Sequence, residues 1–158
     1  MSKVFMDYEI NPATCILLPA KEIDYDTIVI EQEKKLFVRK TPMQLIEAAC
    51  IKYGASYKGI TESVLYNTGF KRRAPIPICK CRGIYAFPTH AVTSYECAWV
   101  FPNHIQFYQP LPPAERGTRK ESLIVFQNNE EVSLEISQYG LKTQIEKTNY
   151  CKYIYSVV

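Results

Sequence analysis

The sequence predicts an α+β domain: mainly antiparallel β-sheet, or a partly closed barrel, with one or two packed α-helices. Three observations carry this. Aromatic residues make up 13% of the 158 residues and twelve of them are tyrosines; ring side chains favour strands. Two apolar-rich runs, Ser122–Phe126 and Glu131–Ile136, flank Asn128 and Asn129, and asparagine tolerates the positive φ of a tight hairpin turn. Thr41-Pro42-Met43-Gln44 combines an N-cap, a proline at the first helical position and a capping-box partner.

Taken in order, Tyr8–Pro19 holds a short strand, TCILLP. Thr27–Ile30 and Leu36–Arg39 form a hairpin joined by the charged link Glu31–Lys35. The acidic residues here, Asp24, Asp26, Glu31 and Glu33, face mixed lysines and read as a solvated edge. From Pro42 to Tyr53, Leu45, Ile46, Ala49, Cys50 and Tyr53 recur at helical spacing, and Gly54 stops the helix. Ser56–Gly69 reads as a loop with Lys58 at its tip, followed by a strand around Val64–Tyr66. Gly83–Phe87 is a strand ended by Pro88, Tyr95–Phe101 a strand holding Trp99, and His104–Gln109 another after a turn at Pro102-Asn103. Pro110–Lys120, with three prolines and one glycine, reads as a basic arm or a connector. Ser137 is the N-cap of a final helix through about Lys147. Tyr150–Val158 is a last strand or a segment that needs a partner. Residues 1–149 form one domain and 150–158 a short tail.

An apolar share of 47% and a charged share of 22% are globular values. No segment is apolar for long enough to span a membrane, and MSKVFMDYEI lacks the apolar core of a signal peptide. The chain is expected to stay in the cytosol, where its six cysteines are free thiols. No phosphate-binding glycine loop, GxSxG or paired CxxC occurs, so the chain does not read as an enzyme. A zinc site at Cys79, Cys81 and Cys97 is the alternative for the cysteines, but structural sites pair ligands two to four residues apart. On a strand, Cys79 and Cys81 share a face, which is ordinary core patterning. His90 and His104 have no partner motif and read as hydrogen-bonded side chains.

Phe70–Arg82, FKRRAPIPICKCR, stands apart. It carries Lys71, Arg72, Arg73, Lys80 and Arg82 and no acidic residue; removing these five from 19 basic residues leaves 14 against 16 acidic ones. The positive charge of the chain is therefore local. Pro75 and Pro77 fix φ and remove two backbone donors, which predicts a stiff, extended, exposed segment. Concentrated cationic charge on a near-neutral domain suits a polyanion; a solvated loop is the plain alternative.

Five blocks resemble the bacterial competence transcription factor family, ComK: Tyr8–Pro19, Thr41–Glu62, Arg72–His90 (RRAPIPI and IYAFPTH), Cys97–Ile105 (CAWVFPNHI) and Val125–Thr148. They stand in the family's order and cover most of the chain. The resemblance implies a DNA-binding activator of competence genes. Such a protein recognises paired A/T-rich boxes through the minor groove and assembles from dimers toward tetramers. An adaptor of a Clp-type protease controls it. Apart from the resemblance, the cysteine spacing leads to no expected metal, and no cofactor is expected. Family members continue beyond the block ending near Thr148, so this chain reads as a C-terminally short member or fragment. Individual roles come from charge and location. Arg72, Arg73 and Arg82 are the first candidates for groove or phosphate contacts; Lys71, Lys80, Lys58, Arg116, Arg119 and Lys120 are the second. A narrow A/T minor groove concentrates negative potential and favours inserted arginine or lysine. A protein-interaction module without a nucleic-acid role is the competing reading, supported by the aromatic content and the proline-rich loop.

Overall fold

The computed structural model describes residues 3–112 and 119–156. The chain order is β1 (Val4–Phe5), β2 (Thr14–Pro19), β3 (Thr27–Glu31), β4 (Lys35–Val38), α1 (Pro42–Lys52), α2 (Tyr57–Thr68), β5 (Ile76–Cys79), β6 (Ile84–Pro88), β7 (Trp99–Val100), β8 (Ile105–Pro110), β9 (Ser122–Phe126), β10 (Glu131–Leu134) and α3 (Gln138–Ser156). Seven strands form one sheet in the order β1-β4-β3-β2-β7-β6-β5, and three form a second in the order β10-β9-β8. Every neighbouring pair is antiparallel except β1 with β4. The fold is α+β as expected, and both sheets are open, so the barrel alternative falls away.

The period-two geometry of strands explains the layering. Leu17, Val29 and Trp99 point to one face of the large sheet, where they meet Leu45, Ile46, Ile60, Val64 and Cys151 of the three helices. Their neighbours Ile16, Ile30 and Val100 point to the other face and pack on Ile124, Phe126 and Leu134 of the small sheet. The central strands β2, β3 and β7 are thus covered on both sides, which is why their sequences run apolar without alternation. Trp99, 1% exposed, anchors the helical side with its ring edge-on to Tyr57, centroids 6.3 Å apart.

The capping box at Thr41 and Gln44 forms with both reciprocal bonds. Ser56–Gly69, expected as a loop and a strand, is instead α2. Ser56 caps it by accepting from the Gly59 N–H at 3.0 Å, Ile60 and Val64 bury one face, and Gly69 closes it at φ 81°. Packing of that two-residue stripe overrides the tyrosine-, threonine- and glycine-rich local sequence. Tyr150–Ser156, expected as a strand or unpartnered segment, is the last part of α3, whose buried face repeats as Leu141, Gln144, Thr148, Cys151 and Tyr155. Ser137 caps that helix as expected. The strand at Tyr95–Phe101 shortens to Trp99–Val100. Glu31 departs from the solvated edge assigned to it. It is 7% exposed and accepts hydrogen bonds from the Tyr8 hydroxyl and, at 3.1 Å, from the Asn11 amide.

Candidate nucleic-acid interface

The basic stretch does not form one exposed segment. Pro75–Cys79 is buried, and β5 takes its place at the edge of the large sheet, paired with β6. Apolar side chains at Ile76 and Ile78 bury too much surface to be left in water. The cations are pushed to the two ends of the strand: Lys71, Arg72 and Arg73 before it, Lys80 and Arg82 after it.

The turn before β5 is held by α3. Gln144, 5% exposed, donates its side-chain amide to the carbonyls of Arg73 and Pro88, both at 2.8 Å. Lys147 Nζ donates to the Arg72 carbonyl at 3.5 Å and sits 5.4 Å from the centre of the Phe70 ring, which meets Tyr150 at 5.8 Å. Arg73 adopts φ 48°, the left-handed region that few side chains tolerate. These holds act on the backbone and leave the side chains of Lys71, Arg72 and Arg73 exposed. Among the described residues, none of the three enters an ion pair. They rim a groove of about 580 Å³ whose apolar wall includes Leu65, Phe70 and Val92 and which also takes in Glu62.

The turn after β5 carries Lys80 and Arg82, also exposed and outside any ion pair among the described residues. Lys80 Nζ stands 4.6 Å from the Tyr155 ring centre. Gly83, at φ 70°, closes the turn, and its carbonyl accepts from the Asn103 amide at 2.7 Å. Asn103 in turn accepts from Lys152 of α3, whose ammonium pKa is lowered by burial.

The remaining candidates lie elsewhere. Lys58 is exposed in the first turn of α2. Arg119 and Lys120 belong to the β8–β9 connection, where Arg119 lies 3.9 Å from Glu135; Arg116 lies outside the described residues. Nearby, Glu96 is bonded to Lys21 at 2.8 Å. Its carboxyl is held below its ordinary value, first by that bond and to a smaller extent by Arg119.

The zinc alternative does not assemble. Cys79 and Cys81 have sulfurs 3.5 Å apart, yet Cys97 is occupied with the His90 carbonyl at 3.4 Å. Among the described residues no three His, Cys, Asp or Glu side chains cluster to hold a metal. Cys79 and Cys81 also do not share a buried face. The chain turns after Cys79, leaving Cys81 exposed. Both histidines are hydrogen-bonded, His90 Nε2 to the Glu135 carbonyl at 2.9 Å and His104 Nε2 to the Pro12 carbonyl at 2.7 Å.

Sequence reasoning missed Lys147 and Lys152, which place one cation beside each turn. Both lie on α3, Lys152 in the part expected to be non-helical; continuing the three-and-four spacing from Leu141 would have placed them there. No described helix is long and apolar enough to cross a membrane.

A family model described as ComK protein matches residues 5–157, and so includes most of the tail expected to fall outside the resemblance. The Competence transcription factor of Bacillus subtilis (strain 168) is 26% identical over 148 residues, covering 92% of this chain and 73% of that protein. No solved structure matches the chain. With the family model running through almost every element from β1 to α3, the chain belongs to the ComK family.

Proposed function

We propose that this chain is a DNA-binding transcriptional regulator of competence genes that reads A/T-rich boxes through the minor groove as a dimer or higher oligomer. The observation that carries the reading is the Lys71–Arg73 turn: three exposed side chains without an ion-pair partner among the described residues, on a backbone fixed by Gln144 and Lys147. A cation already free of carboxylates gives up no internal pair on binding. A backbone already fixed loses little entropy when it docks. The similarity to a protein named as a competence transcription factor supports the class of target. Base edges in the minor groove separate little more than A·T from G·C, so groove width carries the discrimination and arginine is the side chain that senses it. Family membership is the sole support for assembly beyond one copy, for a Clp-type adaptor and for residence at the nucleoid.

The test is fluorescence anisotropy of the full chain on duplexes carrying two A/T boxes or two G/C boxes, over a series of salt concentrations. A dimer that neutralises three phosphates per copy gives a log–log salt slope of roughly −5, at about 0.9 per phosphate. Equal affinity for both duplexes with a slope near zero would overturn the reading. It would favour instead a protein-interaction module built on the apolar groove beside Phe70 and Val92.

A further inference from the structure

Among the described residues, Cys79 and Cys81 are the one pair of cysteines whose sulfurs meet, at 3.5 Å. The other four, Cys15, Cys50, Cys97 and Cys151, are each buried, whereas Cys81 is exposed and Cys79 is 8% exposed just beneath it. A disulfide has an S–S length of about 2.05 Å, so the gap must close by roughly 1.5 Å. The local chain is suited to that movement. The pairing of β5 with β6 already shifts register between Pro77 and Cys79, and Lys80, Cys81 and Arg82 are exposed rather than packed. A bond across a single intervening residue closes a small, strained ring, and strained, exposed disulfides are the readily reduced ones.

We propose that Cys79 and Cys81 form a reversible dithiol–disulfide site, closed by a hydroperoxide and reopened by a dithiol reductant, whose closure repositions Lys80 and Arg82. The Cys81 sulfur, the accessible one, attacks the peroxide. The O–O bond breaks, an S–O bond forms, and the leaving oxygen departs with a proton as water or an alcohol. The Cys79 sulfur then displaces the hydroxyl of the sulfenic acid, which leaves with the Cys79 proton as water. Two thiols are oxidised by two electrons and one hydroperoxide is reduced. The Cys81 thiol sits above its ordinary pKa, first through its hydrogen bond with Cys79, and it gives up its proton as the sulfur attacks. Because Lys80 is the residue inside the ring, closure pulls on its contact with the Tyr155 ring, and Arg82 follows in the same turn.

The reduced full chain is treated with hydrogen peroxide under native conditions, quenched by alkylation and mapped by peptide mass. The peptide holding both cysteines should lose two hydrogens, dithiothreitol should restore them, and the four buried thiols should stay reduced. In Cys79→Ser, Cys81 should pass to higher oxides or couple two chains. Wild-type Cys81 stopping at a sulfinic acid, or cross-linking chains while Cys79 stays a thiol, would overturn the pairing. The second arm rests on the proposed DNA reading and compares duplex affinity of oxidised and reduced chains. A change of about fivefold is expected, the weight of a displaced phosphate contact or two, and it should vanish in the Cys79→Ser/Cys81→Ser double variant. Equal affinity of two forms that both bind DNA overturns the repositioning. No binding by either form overturns the DNA reading and leaves the mass result standing.

Discussion

The turn before β5 and the β8–β9 side of the molecule both carry basic side chains, and they border the same loop: the charge of Arg73 reaches Cys97, while that of Arg119 reaches its neighbour Glu96. The difference lies in what is held. At the β5 turn, α3 binds the carbonyls of Arg72 and Arg73 and leaves their side chains to solvent. On the other side, Glu135 and Glu96 take the side chains of Arg119 and Lys21 themselves. Composition counts these cations equally. An incoming polyanion does not, because it must compete with a carboxylate for one set and not for the other.

The largest effect should come from removing the unpaired charges. Position 73 needs a residue that accepts positive φ, so the variant is Arg72→Ala with Arg73→Asn. Affinity for the A/T duplex should fall by about 10- to 100-fold, or roughly 1.4–2.8 kcal/mol. The salt slope should flatten by about 1.8 for each bound copy. Anisotropy across salt concentrations reads both, and an unchanged slope removes this turn from the interface.

Next comes the hold on the backbone. Gln144→Leu keeps the volume and every cation but leaves two carbonyls without their donor. Urea unfolding should show a loss of about 1–3 kcal/mol. Duplex affinity should fall as well, although no charge has changed. A variant that loses stability yet binds DNA at full strength would show that the turn needs its arginines and not its fixed backbone.

The sequence was legible where the signal is local. The capping box at Thr41, the hairpin around Asn128 and Asn129, and the N-cap at Ser137 each depend on residues within a few positions of one another. It was illegible where distant elements decide. The stripe of α2 has only Ile60 and Val64 to announce it, and they matter because the large sheet offers a surface to cover. The basic stretch was found as a charge anomaly, but its division came from burial of Ile76 and Ile78, which depends on β6 and α2. Lys152 was missed because Tyr150–Val158 reads as apolar and aromatic until its helical spacing is laid beside Leu141, and Lys147, though inside the expected helix, because nothing local places that helix beside the Arg72 carbonyl.

Arg119→Ala should do little. Glu135 lies 3.9 Å from it and offsets its charge, so affinity should stay within about threefold and the slope should move by less than about 0.9, the value of one phosphate. A loss as large as that of the β5 variant would merge the two regions into one interface.

The smallest effect should be that of Glu96→Gln, and its sign can be worked out from the carboxyl. The folded pKa of Glu96 lies below its ordinary value of 4.5, first because Lys21 donates to it. A depressed carboxylate contributes stability above the unfolded value, and that contribution disappears as pH falls through the folded one. The variant should therefore be slightly less stable than wild type at about pH 7, and the two should converge as the pH falls through the lowered pKa and the Glu96 carboxyl takes up its proton. Urea midpoints at the two pH values read the difference, which added salt should shrink because the pair is exposed. The same variant also tests the boundary between the regions. It releases Lys21 and removes one anion beside Arg119, so this side becomes more cationic without any added lysine or arginine. If the β5 turns carry the contact, DNA affinity and salt slope stay as in wild type. A gain in affinity with a steeper slope would mean that Glu96 shields a working part of the interface, and that the carboxylates there tune binding rather than mark where it ends.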